Sequence, residues 1–230
     1  MAQKLDRTQV VDTALRLLNE TGLDGLTLRR IATELDVKAP ALYWHFANKQ
    51  ALLDEMATEM LRRMSAGPAA LPAALPADWR AALAATCRTL RGGLLGYRDG
   101  AKVFSGTRLT DLGHSTGQEA LLRTFTDEGF ELADAVQAFF TAYAYTIGFV
   151  IEEQAVRPLP GGAAAPGGDP GDDPAYDPAY DPAVRAERIG PGRPLAAAAS
   201  RELFTGYEQR FERGLAILLA GVAAVRGPAA

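Results

Sequence analysis

The amino-acid sequence predicts an all-α protein, with an N-terminal three-helix helix-turn-helix domain and a larger helical C-terminal domain. Leu28, Ile31, Ala32 and Leu35 recur with the i, i+3, i+4, i+7 spacing of one apolar helix face. Segment 132–156 is apolar nearly all round, which predicts a long helix buried on more than one side. With 230 residues, 48% of them hydrophobic, the chain is long enough to bury a full core.

The N-terminal elements follow from caps and breaks in the apolar pattern. The first helix is expected to begin near Asp6 or Thr8 and to be stopped by Gly22. A turn over 36–38 then interrupts the second helix. Pro40 sits near the start of a third, short helix, where its missing N–H costs little. A short helix with small residues in front and aromatic residues behind can enter the major groove of DNA.

The rest of the chain is expected to be helical with two Pro-rich interruptions. Asn48 caps a fourth, connecting helix, which leads into a Pro/Ala segment over 67–77. Segment 158–194 is rich in Pro, Gly and Asp and is interpreted as a flexible loop, the alternative being a lid or a partner-binding segment. The other helices are expected over residues 79–97, 118–126, 132–156 and 201–225.

Charge and cysteine usage limit the classes of partner. The net charge of −4 does not by itself indicate nucleic-acid binding, but DNA binding requires only a local basic patch. Segment 27–50 carries Arg29, Arg30, Lys38 and Lys49 against two acidic residues. The single cysteine excludes an intramolecular disulfide and fits a reducing compartment. No signal peptide or membrane-spanning run is recognised, so we expect a cytoplasmic protein without a membrane partner.

Segment 27–53, TLRRIATELDVKAPALYWHFANKQALL, resembles the helix-turn-helix of the TetR family of repressors. RLLNETGLDGLT, YRDGAKVFSGTR and TIGFVIEEQ resemble the tetracycline-responsive members of that family, and the likeness covers most of the chain outside 158–194. The resemblance implies a homodimeric repressor of palindromic, double-stranded operator DNA that a small-molecule effector releases. It implies a helix-turn-helix domain over 1–48, a connecting helix over 49–66, and a ligand-binding and dimerisation domain over 67–230.

The resemblance, taken residue by residue, also implies which side chains face DNA. These positions are Arg29, Lys38, Ala39, Pro40, Ala41, Tyr43, Trp44, His45 and Lys49. Arg29 is suited to reading guanine with a bidentate contact and Lys49 to holding a phosphate. Trp44 is expected either on the DNA or packed beneath the motif.

Some positions of the motif depart from the family pattern. Leu28, Ala39 and Ala41 replace polar side chains of the tetracycline-responsive members, so a different operator with apolar contacts to thymine methyl groups is expected. Asp36 replaces the glycine common in the family's turn. Aspartate tolerates the left-handed backbone conformation better than most residues, so we expect the turn to be retained.

The resemblance further implies an effector cavity in the C-terminal domain. Its lining would be Ser65, Thr86, Leu90, Phe104, Thr107, Arg108, Leu109, Leu121, Val136, Phe139, Tyr143 and Glu152. Large apolar groups with a few polar ones are the usual composition of a ligand pocket. The alternative for Val136 and Phe139 is ordinary core packing.

Phe104 decides the expected chemistry of the effector. In the tetracycline-responsive members a histidine at this position binds magnesium, and phenylalanine has no such ligand atom. Ser65 and Thr86 also replace a histidine and an asparagine that hold the drug in those members. Glu152 alone would make a poor magnesium site. We therefore expect no metal and no cofactor, and an apolar or aromatic effector.

Two rival interpretations remain at this stage. An enzyme would require a nucleophile with a positioned base, and Cys87 and His114 lie in unrelated segments, so this class is disfavoured. His114 itself is interpreted as a loop residue facing solvent. A repressor without a ligand, whose cavity is filled by Phe104 and its neighbours, stays open.

Overall fold

A computed structural model of the chain describes residues 5–66, 75–156 and 181–225, and the described residues form helices and no strands. They divide into two compact units, residues 5–66 with 75–151, and residues 152–156 with 181–225. The all-α prediction is confirmed. The helices are α1 (Arg7–Gly25), α2 (Leu28–Glu34), α3 (Ala39–Tyr43), α4 (Lys49–Ala66), α5 (Trp79–Leu95), α6 (Gly100–Phe104), α7 (Ser115–Thr126), α8 (Leu132–Val156), α9 (Pro182–Ile189), α10 (Pro194–Phe204) and α11 (Tyr207–Val225).

Side-chain caps determine where the first helices begin. Asp6 Oδ1 accepts a hydrogen bond from the Gln9 N–H at 2.8 Å, and Gln9 Oε1 accepts one from the Asp6 N–H at 3.3 Å. This reciprocal capping box satisfies two backbone groups that the first turn of α1 leaves free. Thr27 and Asn48 cap α2 and α4, each accepting from the backbone N–H three residues later, at 3.1 and 2.9 Å. The predicted starts near Asp6 and at Asn48 are confirmed.

Gly22 breaks α1, as its position in the sequence predicts. Its backbone has φ +70° and ψ 176°, and one further helical turn follows before Gly25. A Cβ atom at Gly22 would lie 2.8 Å from Arg98 Nε and 2.9 Å from Asp99 Oδ2. Both the positive φ and the close approach of these side chains therefore require glycine at this position.

The four N-terminal helices share one apolar core with Val103 of α6. Leu42 of α3 and Phe46 just after it are both almost fully buried there, and they anchor the short third helix. Burying a side chain of this size contributes roughly 1.5–3 kcal/mol. The buried members of this core are Val10, Val11, Ala14, Leu15, Leu17, Leu18, Leu26, Ile31, Ala32, Leu42, Phe46, Leu52, Met56, Met60 and Val103.

Three aromatic rings hold α5 against α7. Trp79, at the start of α5, is fully buried, with its ring centroid 5.1 Å from those of Phe125 and Phe130. The backbone N–H of Trp79 donates to Glu128 Oε1 at 3.0 Å, and the Asp78 side chain caps the same helix end. This cluster holds the start of α5 in place against the end of α7.

Helix α8 is long and apolar enough, at 25 residues and a mean hydropathy of 1.2 in its most apolar window, to cross a membrane. The expectation that no apolar run reaches this length is therefore wrong. Length and composition are weak evidence, because the core helix of a soluble protein passes the same test. Ile147 and Val150 of α8 are buried in a core with Ala57, Leu94 and Ala101.

The second unit contains a helix where the sequence predicted a loop. Helix α9 lies within 158–194, and residues 158–180 of that segment lie outside the described residues. Asp181 accepts from two backbone N–H groups at 2.8 and 2.9 Å, and Pro182 occupies the first turn, where no N–H is needed. This local cap outweighs the Pro-rich composition of its surroundings.

The helix predicted over 201–225 is divided in two. Thr205 is extended and Gly206 has φ +61°, so α10 ends and α11 begins at this point. Helix α11 buries Phe211 and Leu215, whereas Ile217 is 69% exposed. Leu215 is therefore a core residue, and the exposed apolar face of α11 lies at other positions.

Candidate functional site

The third helix presents an exposed face above a buried anchor. Tyr43 is 56% and Trp44 89% exposed, while Leu42 between the exposed positions is fully buried. Pro40 is exposed at the beginning of the helix, and Ala39 and Ala41 are partly exposed. The alternative that Trp44 packs beneath the motif is wrong, since its ring projects almost entirely into solvent. Small residues at the leading end leave room for a close approach to another molecule.

The turn between α2 and α3 has the geometry that aspartate was expected to allow. Asp36 has φ +52°, a left-handed conformation. The Asp36 N–H donates to Thr33 O at 3.1 Å, and the Val37 N–H donates to Ala32 O at 2.9 Å. These bonds end α2 and set the direction in which Lys38 and α3 leave it.

Basic side chains flank the exposed face. Arg29 of α2 and Lys38 at the start of α3 are both exposed. Lys49, the first residue of α4, is exposed, and its Nζ donates to Leu23 O at 3.4 Å. His45 follows the helix and is half-buried, and its carbonyl accepts from Arg7 Nη1 at 3.2 Å. The predicted DNA-facing residues thus lie on α2, on α3 and its flanks, and at the start of α4.

Several of the predicted effector residues meet in one apolar cluster. Phe104 is 6% exposed and packs with Leu90, Leu109 and Tyr143 around the end of α6. The centroids of the Phe104 and Tyr143 rings lie 6.5 Å apart. Phe139 and Phe140 approach the same tyrosine at 6.3 and 6.2 Å. Burial raises the pKa of the Tyr143 phenol.

Other predicted effector residues are not part of this cluster. Leu121 is buried outside it, Val136 is 43% exposed, and Glu152 belongs to the second unit. Arg108 is exposed, and its backbone N–H donates to Asp54 at 3.1 Å.

The predicted polar residues use their hydroxyl protons locally. Those of Ser65, Thr86 and Thr107 are donated to backbone carbonyls of their own segments at 2.8–2.9 Å. These oxygens can still accept a hydrogen bond from a ligand. Among the described residues, no group of three or more His, Cys, Asp or Glu could hold a metal ion.

Polar contacts between α1 and the entry to α6 were not anticipated from the sequence. Asp99 has φ +54°, and its Oδ2 accepts from the Leu23 N–H, just after the break in α1, at 3.0 Å. The Arg98 N–H donates to Asn19 Oδ1 at 2.9 Å. Burial would raise the pKa of Asp99, but hydrogen bonds from Leu23 and Lys102 lower it overall. The entry to α6 is thereby attached directly to α1.

A buried carboxylate on α4 was also missed. Glu55 is 8% exposed and accepts hydrogen bonds from Arg7, Arg62 and Thr110. Burial would raise its pKa, but the bonds from Arg7, Thr110 and Arg62 outweigh burial and lower it. A glutamate on a helix otherwise rich in charged residues gave no signal that it faces inward.

Comparison with known proteins places these features in a family. The family description "Bacterial regulatory proteins, tetR family" matches residues 10–56, and "Tetracyclin repressor-like, C-terminal domain" matches residues 71–226. The tetracycline repressor class A from transposon 1721 of Escherichia coli is 45% identical over 152 residues, which are 66% of this chain and 68% of the relative.

Solved structures agree with this assignment. A possible TetR family transcriptional regulator from Streptomyces coelicolor A3(2) is 38% identical with a TM-score of 0.75, covering 96% of this chain and 100% of that one. A class A TetR in complex with 5a,6-anhydrotetracycline and magnesium is 35% identical with a TM-score of 0.63, covering 96% and 99%. BioQ with its double-stranded DNA operator is 28% identical with a TM-score of 0.61, covering 96% and 99%.

Proposed function

Since this chain belongs to the TetR family of transcriptional regulators and is not an enzyme, we propose that it represses transcription as a homodimer on a palindromic operator. A small apolar or aromatic effector releases it, and this release needs no magnesium. The exposed face of α3 above the buried Leu42 is the observation that carries the proposal.

The recognition surface suits entry into a major groove. Helix α3 presents small residues at its leading end, which allow the backbone to approach base edges, and Tyr43 and Trp44 project beyond them. Arg29, Lys38 and Lys49 are placed around this helix to hold phosphates or to read guanine. The relative solved with its double-stranded operator supports the same mode of binding.

Dimerisation is supported by apolar side chains left exposed on long helices. On α11, Ile217 is 69% exposed; on α8, Leu132, Val136 and Phe140 are 58%, 43% and 60% exposed at i, i+4, i+8 spacing. Stripes of this kind mark contact surfaces more often than solvated ones. In a dimer, the two α3 helices would read half-sites about 34–36 Å apart, or as the dimer geometry dictates.

The effector proposal rests on the cluster around Phe104. A phenyl ring at this position offers no metal ligand, and a hydrated divalent ion next to it would lose solvation without compensation. Aromatic neighbours, with the Tyr143 hydroxyl as a polar group, suit a flat apolar ligand better. Glu152 is proposed as a further lining residue from the partner's side of the dimer.

A second candidate is repression without any effector. Phe104 is 6% exposed and surrounded by Leu90, Leu109 and Tyr143, which is also what a permanently filled cavity would look like. In that case no small molecule would release the operator, whatever the metal.

Selection of duplexes from a random pool by the wild-type protein tests the DNA-binding part. Trp44→Ala should weaken binding to the selected duplex by about tenfold, roughly 1.4 kcal/mol, without lowering the melting temperature, since Trp44 is 89% exposed. The matched control is Leu112→Ala, an apolar residue 79% exposed in the loop after α6, which should leave binding unchanged. Failure of the wild type to enrich any duplex would refute the proposal.

Titration of the selected complex with tetracycline tests the effector part. Magnesium-tetracycline should release little DNA, and EDTA should not change the result. Release at submicromolar drug that EDTA abolishes would show that the site accepts the chelate despite Phe104. A panel of metal-free aromatic compounds then separates the two candidates, because only a ligand-responsive repressor will be released by a member of it.

A further inference from the structure

The carboxylate of Glu55 binds groups from two segments that the sequence separates widely. It lies on α4, is 8% exposed, and has Arg7 of α1 on one side and Thr110, in the loop between α6 and α7, on the other. Arg7 is 48 residues and Thr110 55 residues away along the chain. A single side chain therefore joins the N-terminal helices to the loop that follows Phe104.

On one side, Glu55 binds the guanidinium of Arg7, which in turn contacts the residues that follow the third helix. Arg7 Nε and Nη2 donate to Glu55 Oε2 at 3.0 and 2.7 Å. The third nitrogen of the same guanidinium, Nη1, donates to His45 O at 3.2 Å, and its carbon lies 4.6 Å from the Phe46 ring centroid. A guanidinium is planar and rigid, so fixing two of its nitrogens fixes the direction of the third.

On the other side, Glu55 holds the loop between α6 and α7. Thr110 Oγ1 donates to the same oxygen, Glu55 Oε2, at 3.0 Å, and the Thr110 N–H donates to Thr58 Oγ1 at 2.8 Å. Arg62 donates to Glu55 Oε1 through two nitrogens at 3.2 Å and to Asp111 Oδ2 at 2.9 and 2.6 Å. The loop is thus attached to both oxygens of the carboxylate, once directly and once through Arg62.

The two sides share one buried carboxylate. Oε2 accepts from Arg7 and from Thr110 at once, so a displacement of Thr110 removes one of its donors and allows the carboxylate that Arg7 meets to shift. A buried carboxylate is costly unless hydrogen-bond donors surround it. When one donor is withdrawn, the side chain therefore shifts towards the donors that remain. Movement of the loop would in this way reach His45, two residues after the end of the third helix.

We propose that Glu55 is a positioning residue for DNA binding, which links the position of the 105–114 loop to the orientation of the C-terminal end of α3. It touches no DNA itself and acts through Arg7. This inference rests on the proposed function, because it assigns the end of α3 a role in operator recognition. The residues that carry it, Arg7, Glu55 and Thr110, lie outside the predicted DNA and effector sets.

Amide hydrogen exchange of the full-length protein tests the link without DNA. Thr110→Val keeps the shape of an exposed side chain and removes only its hydroxyl. It should raise exchange in residues 42–47 about tenfold or more, as expected for the loss of one hydrogen bond to a charged group. Glu55→Gln should do the same. The matched control is Glu119→Gln on α7, a surface glutamate whose carboxylate pairs with Arg123.

The duplex selected by the wild type gives a second measurement. Glu55→Gln should weaken binding about tenfold, and adding Thr110→Val should weaken it little further, because both changes break one connection. If Thr110→Val alters exchange only in the loop, or if Glu119→Gln matches its effect on residues 42–47, the proposal is wrong. A wild type that selects no duplex would refute the proposed function, while the exchange experiment would still decide the link.

Discussion

Replacing Phe104 with alanine should remove a large part of the stability of the first unit. The side chain is 6% exposed and packed among Leu94, Ala101, Ile147 and Tyr143, so the change leaves a cavity that these neighbours cannot close. Substitutions of buried phenylalanine by alanine cost about 3–5 kcal/mol. The measurement is urea unfolding at a fixed protomer concentration, since dissociation of a dimer would otherwise enter the free energy of unfolding.

Two further measurements make the Phe104 result decisive. Phe104→Leu keeps most of the volume and should cost under about 1.5 kcal/mol. The cavity in the alanine variant would be apolar and dry, so benzene should bind it and recover about 2.7 kcal/mol at a hundredfold excess over its Kd. A loss below about 1 kcal/mol in Phe104→Ala, with no response to benzene, would show that Phe104 borders an open, hydrated cavity and would refute the packing argument.

Three other outcomes are expected. Lys49→Ala should weaken binding to all duplexes alike and reduce the slope of log K against log salt by about one unit; an unchanged slope would remove Lys49 from the phosphate contacts. Ile217→Glu should give monomers in sedimentation without loss of helicity, whereas Leu215→Glu should unfold the protein because that residue is 1% exposed; a dimeric Ile217→Glu protein would exclude this face of α11. The folded pKa of Glu55 lies below its ordinary 4.5. The ionised side chain should therefore contribute fully to the free energy of unfolding above about pH 4.5, and this contribution should disappear as the pH falls through the folded pKa. An equal decrease in the free energy of unfolding of Glu55→Gln over the same pH range would refute this.

Local signals in the sequence were enough for much of the N-terminal half. Asp6 and Asn48 indicate helix starts because their side chains accept a hydrogen bond from the backbone N–H three residues later. Gly22 indicates a break because glycine can adopt a positive φ. Asp36 could be placed in a left-handed turn since aspartate is one of the few residues that tolerate it.

Two kinds of feature could not be predicted. Some depend on partners far away in the sequence, and one was hidden because the composition of a long segment was judged as a whole. Asp99 adopts a left-handed conformation like Asp36, but its partner Leu23 is 76 residues away. Whether Glu55 faces inward is decided by Arg7 and Thr110, which no periodicity connects to it. Helix α9 was missed because the composition of 158–194, taken as a whole, concealed the Asp-Pro cap at its start.

The chain carries two tryptophans, which are intrinsic fluorophores, and they differ strongly in solvent exposure. Its two tryptophans are Trp44, 89% exposed at the end of α3, and Trp79, fully buried among Phe125 and Phe130. A water-soluble quencher such as iodide will reach the first and not the second, so the accessible and inaccessible parts of the emission can be assigned without a label. If a duplex covers the exposed face of α3, iodide should no longer quench the emission of Trp44. The emission of Trp79 reports whether the aromatic cluster of α5 and α7 stays intact.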